Sequence, residues 1–300
     1  MAHEHSHAPK NFDRAFAIGV GLNVGFVVIE VVFGLFSNSL ALLADAGHNL
    51  SDVLGLLLAW GASILVRRKP TQRHTYGLRR ASVLAALINA IILLLAVGAI
   101  AWEAILRFGQ PEAVESGTVI LVASIGVLIN GVTAWLFISG KKQDVNIRGA
   151  YLHMAADAAI SLGVVVTAIA MYFTGWLWLD PVVSLAIAVV IGISTWGLLS
   201  ESLNLALDAV PANIEPEKVE AYLASLPGIK EVHDLHIWAM SSTEVALTVH
   251  LVKPDAMIDD ALLEQINNEL REKFSIQHTT VQFELGDSSH PCQQAPVEVV

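Results

Sequence analysis

Two pairs of residues in this chain have the types and spacing for metal chemistry. His48 and Asp52 stand four residues apart in Ala44-Asp45-Ala46-Gly47-His48-Asn49-Leu50-Ser51-Asp52, and His153 and Asp157 repeat that spacing in a second apolar stretch. On a helix, residues i and i+4 share a face. Two imidazole nitrogens and two carboxylate oxygens form a tetrahedral set for a divalent cation such as zinc. The plainer reading is that the four groups hydrogen-bond across helices as structural glue. The repeated spacing and the complementary donor set favour a metal. Imidazole and carboxylate must lose their protons to bind a metal, so such a site takes either metal or protons. Inside a membrane that competition makes an exchanger, driven outward by a proton gradient as helices rock around the site.

Other polar groups surround these pairs. Asp45 and Asn49 are placed to orient a ligand or carry a proton, with helix-end polarity as the simpler role for Asp45. Glu30 lies deep in the first apolar segment, and no partner for it is visible in the sequence. Glu103 and Asp180 read as structural groups near the membrane interfaces. Asn23, Asn89 and Asn130 are single amides that suit helix joining better than ion binding.

The elements that must position the pairs are membrane helices. The 300-residue chain is 54% hydrophobic and only 15% charged, against about 25% charged in ordinary soluble domains. Its mean hydropathy is +0.59. Apolar stretches of spanning length run at roughly 13–35, 39–66, 81–107, 117–139, 147–174 and 179–201. The connection at Phe36-Ser37-Asn38-Ser39 is short enough to make the first two helices a hairpin. Arg67, Arg68, Lys69, Arg73, Arg79 and Arg80 crowd one connection, and Lys141, Lys142 and Arg148 another, while the alternate loops are almost free of basic charge. The basic loops belong on the cytoplasmic side, which puts both termini there too. The start of the chain lacks the pattern of a cleavable signal peptide. A single cysteine, Cys292, excludes an intrachain disulfide framework.

The net charge of −11 sits wholly on the tail: residues 208–300 carry sixteen acidic and five basic side chains. An acidic tail argues against nucleic acid as a partner and suits cations. Val210-Pro211 marks a boundary. A helix is expected over 215–226, strands over 230–239 and 244–252, a second helix over 259–274 and a third strand over 278–285. The fold class is therefore six transmembrane helices followed by a cytoplasmic α+β domain in the order α-β-β-α-β. The expected divisions are a His-containing tract at 1–11, the membrane domain at 12–207, the cytoplasmic domain at 208–286 and a flexible tail at 287–300.

Further metal-binding groups are scattered outside the spans. In Val232-His233-Asp234-Leu235-His236-Ile237-Trp238, strand alternation sends His233 and His236 to opposite faces. His250 on the neighbouring strand can meet His233, a pairing that reads as metal-binding, while His236 reads as a surface histidine. His278 and Glu284 flank the third strand, and His290 and Cys292 could contribute from the end of the chain. His3, His5 and His7 form a weak metal-collecting tract. His74 lies in the basic loop with few partners.

Ala44-Asp45-Ala-x-His48-Asn49-x-x-Asp52, His153-x-x-x-Asp157, His233-Asp-Leu-His-Ile-Trp238 and the six-helix plan together resemble the cation diffusion facilitator family, over about Phe12 to Leu285 and closest to its bacterial zinc exporters. The resemblance implies a homodimer in the lipid bilayer with metal-for-proton antiport. It implies a transport site of His48, Asp52, His153 and Asp157 in each copy. It also implies a zinc-binding cytoplasmic domain with His233, His250, His278 and Glu284 near the dimer contact, and a charge interlock between Arg80 and Asp208. Of the Asp-and-two-His loop site of some members, only His74 is matched, with Thr71 and Leu78 at the other positions. Phe283 stands where some members have a histidine. The histidine-rich loop of many eukaryotic members is absent, which points to a bacterial cytoplasmic membrane. Histidine at position 48 resembles zinc-preferring members, with cadmium, cobalt and nickel chemically admissible. An intramembrane zinc enzyme is disfavoured, because the chain has no His-Glu-x-x-His and no evident general base. A metal sensor or store would leave four ligands inside the spans without a role.

Overall fold

Six long helices come first, and each is apolar nearly all round, as a bilayer-buried helix must be. They are α1 (Phe12–Ser37), α2 (Leu40–Val66), α3 (Ala81–Gly109), α4 (Ser116–Phe137), α5 (Val145–Thr174) and α6 (Leu179–Ala206). The shortest has 22 residues, about 33 Å of helix at 1.5 Å per residue, enough for the hydrocarbon core. The structure is a computed structural model that describes residues 12–66, 68–109, 112–137, 145–255, 260–287 and 292–295. Among the described residues, four helical stretches are long and apolar enough to cross a membrane, in α3, α4, α5 and α6. Leu95, Leu128, Phe173 and Ile193 leave most of their surface uncovered. A lipid-facing surface accounts for that exposure, whereas water would penalise so large an apolar patch.

The chain divides into two compact units, Met1–Leu57 with Asn89–Gly197, and Leu58–Ile88 with Leu198–Val300. In the first unit, α1 and α2 form the expected hairpin. Asn38 takes the left-handed backbone conformation (φ 55°) at its tip, a conformation that asparagine tolerates better than most residues. Gly34 lets the two helices approach: a Cβ there would sit 2.8 Å from Leu43 Cδ2. The start of α2 is closed from another helix. The buried Asp180 carboxylate accepts hydrogen bonds from Ser39 Oγ (2.6 Å), Leu40 N (2.8 Å) and Ala41 N (3.2 Å). Those amides are otherwise the orphan donors of a helix N-terminus. Leu42, Ala44, Val119, Val122, Ala123, Val164, Ala168, Ala188 and Ile191 form the apolar core of this unit.

The second unit holds the soluble fold. Helix α7 (Pro216–Ala224) begins with proline at its first position, where the missing N–H costs nothing. Strands β1 (Glu231–Ala239) and β2 (Val245–Val252) follow, then α8 (Asp260–Phe274) and β3 (His278–Glu284). The sheet order is β1-β2-β3, with β1 antiparallel and β3 parallel to β2. Helix α8 makes the crossover that a parallel pair requires. Asp260 lies in its first turn and Arg271 and Lys273 in its last, matching the helix dipole. Leu247, Val249 and Leu251 of β2 pack with Val219, Leu223, Ile266 and Leu270 of the helices. The even-numbered residues of β2, His250 among them, therefore face the other side of the sheet.

The α2–α3 loop belongs to this unit and is tied to the soluble fold. Arg79 pairs with Glu244, and Arg80 with Asp208. Ser242 N donates to Ser82 Oγ at 3.0 Å. The rings of Tyr76 and His278 meet edge to face at 5.6 Å. Asp208 itself has φ 62° just past α6, where Ala209 N bonds back to Asn204 O at 3.0 Å and ends the helix.

Candidate metal sites

Helices α2 and α5 bring one residue of each sequence pair into contact. His48 Nε2 and Asp157 Oδ1 are 2.9 Å apart, with Asp157 nearly fully buried. Asp52 lies one turn along α2 from His48, and His153 one turn before Asp157 on α5, so each shares its partner's helix face. The side chains of Asp52 and His153 fall outside the described residues. In the His48–Asp157 contact the two would-be ligand atoms face each other across a single hydrogen. A proton held there and a metal ion compete for the same atoms.

The polar stripe extends past this contact. Ser161, one turn after Asp157, donates to Asp45 Oδ2 at 2.8 Å. Asn49 Nδ2 donates to Glu30 Oε2 at 2.9 Å, which joins α2 to α1. Glu30 and Asp45 are both fully buried. Gly126 on α4 makes this possible: a Cβ there would lie 2.7 Å from Phe26 Cζ and 3.1 Å from Ser161 Oγ. The sequence offers Glu30 no partner because Asn49 reaches it across helices.

A second cluster lies on the open face of the sheet. His233, His250, Glu284 and Cys292 each offer one ligand atom, and these atoms all lie within 4.8 Å of one another. His233 and His250 are cross-strand partners, and Glu284 stands opposite Val252 at the end of β3. His250 Nδ1 is 3.1 Å from Glu284 Oε1 and 3.5 Å from Cys292 Sγ. His233 Nε2 is 3.3 Å from Glu284 Oε2. Both ring nitrogens of His233 are buried without completing a hydrogen bond. Buried unsatisfied nitrogens beside a thiol and a carboxylate are what a metal would satisfy, so this donor set fits a four-coordinate ion. The cluster borders a cavity of about 680 Å³ that Glu231, Gln282 and Asp287 also line.

Electrostatics shift the two acidic groups of the cluster in opposite directions. Burial pushes the Glu284 carboxyl up, but hydrogen bonds from Cys292 and Gln282 and the nearby histidines outweigh it and hold it below the usual range. The Cys292 thiol lies above its ordinary value, first because it hydrogen-bonds to Glu284 and then through burial. A metal must displace that proton before the thiolate can bind.

Among the described residues of this unit, His278, His236 and His74 are not part of this group of four. His278 shares the sheet face of Glu284 but lies six residues away, about 20 Å along a strand, and packs on Tyr76 instead. His236 pairs with Asp234 Oδ1 at 2.9 Å. Strict alternation would send His233 and His236 to opposite faces. Instead Asp234, at φ 51°, starts a bulge that sets His233 opposite His250 and His236 opposite Thr248, two residues apart on one face. His74 is exposed in a turn closed through Thr71, and no group of three ligands gathers around it among the described residues. His3, His5, His7 and His290 lie outside the described residues.

Comparison with known proteins agrees with this architecture. Residues 16–205 match the cation efflux transmembrane domain, and residues 211–285 match the cytoplasmic domain of cation efflux proteins. The chain is 39% identical over 98% of its length to the cation efflux system protein CzcD of Alcaligenes sp. (strain CT14), covering 92% of that protein. It is 37% identical over 97% of its length to the zinc transporter ZitB of Shigella flexneri, covering 95% of it. It is 35% identical over 97% of its length to a cadmium, cobalt and zinc/H(+)-K(+) antiporter of Bacillus velezensis, covering 94% of it. The chain belongs to the cation efflux family, the cation diffusion facilitators: it is a multi-pass membrane transporter of metal cations and not an enzyme.

Proposed function

We propose that this protein exports zinc from the cytoplasm in exchange for protons, with cadmium, cobalt and nickel as chemically admissible substrates. The transport site is His48, Asp52, His153 and Asp157. The observation that carries this reading is the part-buried 2.9 Å contact between His48 and Asp157 across two apolar helices. The pair can hold a proton or be parted by a dication, and each outcome excludes the other. Relatives named for zinc transport and for cation/proton antiport support the same chemistry.

The protein acts as a homodimer in the bacterial inner membrane, with both termini and the α7–β3 domain in the cytoplasm. The domain boundary lies near Asp208. His233, His250, Glu284 and Cys292 hold a regulatory zinc ion there, and the transported ion passes elsewhere. Zinc flux into proteoliposomes under an imposed pH gradient tests the transport reading. Uptake that follows the gradient and vanishes in Asp52→Ala supports exchange at this site. Gradient-independent uptake, or normal uptake in Asp52→Ala, overturns it.

A further inference from the structure

The basic residues of the α2–α3 loop divide into two sets by what they meet. Arg79 and Arg80 are engaged with the soluble fold, through Glu244 and Asp208. Arg68, Lys69 and Arg73 are exposed, and no carboxylate pairs with any of them among the described residues. Like charges this close in sequence repel one another, yet the loop does not spread out to relieve them. Thr71 N donates to His74 O at 3.0 Å, His74 N to Thr71 Oγ1 at 3.1 Å, and Gly77 N to His74 O at 2.8 Å. Gly77 takes φ 72°, and a Cβ there would lie 3.3 Å from Arg68 O, so the loop doubles back on itself. The three cations are carried on a compact turn.

The depth of that turn follows from the helices that bear it. Helix α2 has 27 residues and α3 has 29, about 40 and 44 Å of helix at 1.5 Å per residue. A bilayer measures about 40–45 Å across with its headgroups. Both helices therefore end near the lipid phosphates. Arg68 stands two residues past Val66, the last residue of α2. That is about 7 Å of chain, inside the Debye length of about 8 Å at physiological salt.

The soluble domain is the wrong sign to rest against an anionic leaflet. Residues 208–300 carry sixteen acidic and five basic side chains, so such a leaflet repels them. The loop is fastened to that domain by Arg79, Arg80 and the Ser242–Ser82 bond. Its three unpaired cations are placed to offset the repulsion. All three stand open to their surroundings, which suits a broad anionic surface better than a small anion, whose capture needs convergent donors.

We infer that Arg68, Lys69 and Arg73 form a docking surface for the headgroups of anionic phospholipids, in the leaflet next to the soluble domain. The loop is a two-sided clasp: Arg79 and Arg80 hold the acidic domain, and the other three cations hold the membrane surface. Each cation at an anionic leaflet adds about fivefold in affinity. Which leaflet this is rests on the topology proposed above. The contact itself needs neither that topology nor proton exchange, so its failure leaves the transport reading untouched.

The test is lipid binding to the full-length protein in detergent, followed by nondenaturing mass spectrometry. The probes are phosphatidylglycerol and phosphatidylcholine with the same acyl chains. Wild type is expected to bind phosphatidylglycerol more tightly and to lose that preference as salt is raised. Arg68→Gln, Lys69→Gln and Arg73→Gln combined should lower phosphatidylglycerol affinity by at least fivefold and leave phosphatidylcholine unchanged. Arg68→Lys combined with Arg73→Lys should keep the preference, since it keeps the charge. The hydrogen bonds of the turn come from its backbone and Thr71, so both variants retain it. A wild type without preference, or a drop below fivefold in the glutamine variant, overturns the surface. Loss of the preference in the lysine variant also overturns it, because a surface held by charge accepts lysine. Displacement of phosphatidylglycerol by millimolar inorganic phosphate overturns it as well, by assigning the cations to a free anion.

Discussion

The Asp180 carboxylate, at the start of α6, closes the N-terminus of α2 by bonding Leu40 N at 2.8 Å across 140 residues of sequence. Ser39 Oγ and Ala41 N complete the arrangement. Hydrogen bonds to a charged group are each worth about 1.5–3 kcal/mol, more than a neutral cap gives. Helix α2 carries His48 and Asp52, so its position sets the proposed transport site. Asp180→Ala is expected to lower stability by about 2–4 kcal/mol through the orphaned amides and lost charge contacts, and to reduce zinc flux. Thermal unfolding of the purified protein checks this. A variant as stable as wild type would show that the α2 terminus finds other partners.

The His48–Asp157 contact makes a different kind of prediction. Asp157→Ala removes a proposed ligand and little packing, since alanine leaves the apolar lining of α5 in place. Zinc flux should disappear while the folded, membrane-inserted protein persists. Normal flux in this variant would mean that the contact is structural glue.

The tail cluster separates residues that the sequence treats alike. His233, His250 and Glu284 meet Cys292, whereas His278 packs on Tyr76. Loaded with cobalt in place of zinc, the wild-type cluster should show the visible absorption of a thiolate-bound ion. Cys292→Ala should abolish that absorption, and His233→Ala should weaken tail metal binding while some transport remains. His278→Ala should leave the cobalt spectrum unchanged. A spectrum that survives Cys292→Ala would remove the thiol from the site.

Much of this architecture is legible from the order of residues alone. The spans announce themselves through long apolar runs, and the α-β-β-α-β order follows from alternation and turn residues that act locally. The pairing of His48 with Asp157 is legible because each belongs to an i,i+4 pair inside a span. What the sequence hides depends on distant segments. Asp180 reads as an interface residue until Leu40 N is placed against it. Glu30 has no local signal for Asn49. Cys292 follows the last strand with no periodicity to aim it, and the bulge at Asp234 overrides simple alternation because one extra residue shifts the register. The Arg79–Glu244 pair likewise joins a loop to a strand that no spacing relates.

The two ion pairs of the α2–α3 loop differ in how much they can contribute. Arg80 and Asp208 are each about half exposed, so water screens them. Arg80→Ala should change stability by less than about 1 kcal/mol. Arg79 and Glu244 are more enclosed, and Ser82 and Ser242 fasten the same contact. Arg79→Glu should therefore release the loop from the sheet, seen as faster protease cleavage between α2 and α3. Arg79→Glu combined with Glu244→Arg should restore protection. Failure of the double variant to do so would assign the effect to Arg79 itself rather than to the pair.

On the surface of α8, the Glu269 carboxyl is held below its ordinary value, first by a hydrogen bond from Lys273 and then by one from Gln265. A carboxyl with a depressed value in the folded state adds stability above its unfolded value and loses it as pH falls through the folded one. Glu269→Gln should therefore cost stability at neutral pH and make no difference well below the carboxylate range. The two unfolding curves should converge on the acid side. Curves that stay parallel to the lowest pH would mean that Glu269 acts through packing against Tyr222, whose hydroxyl is pushed up to about 12 by burial and by Glu269.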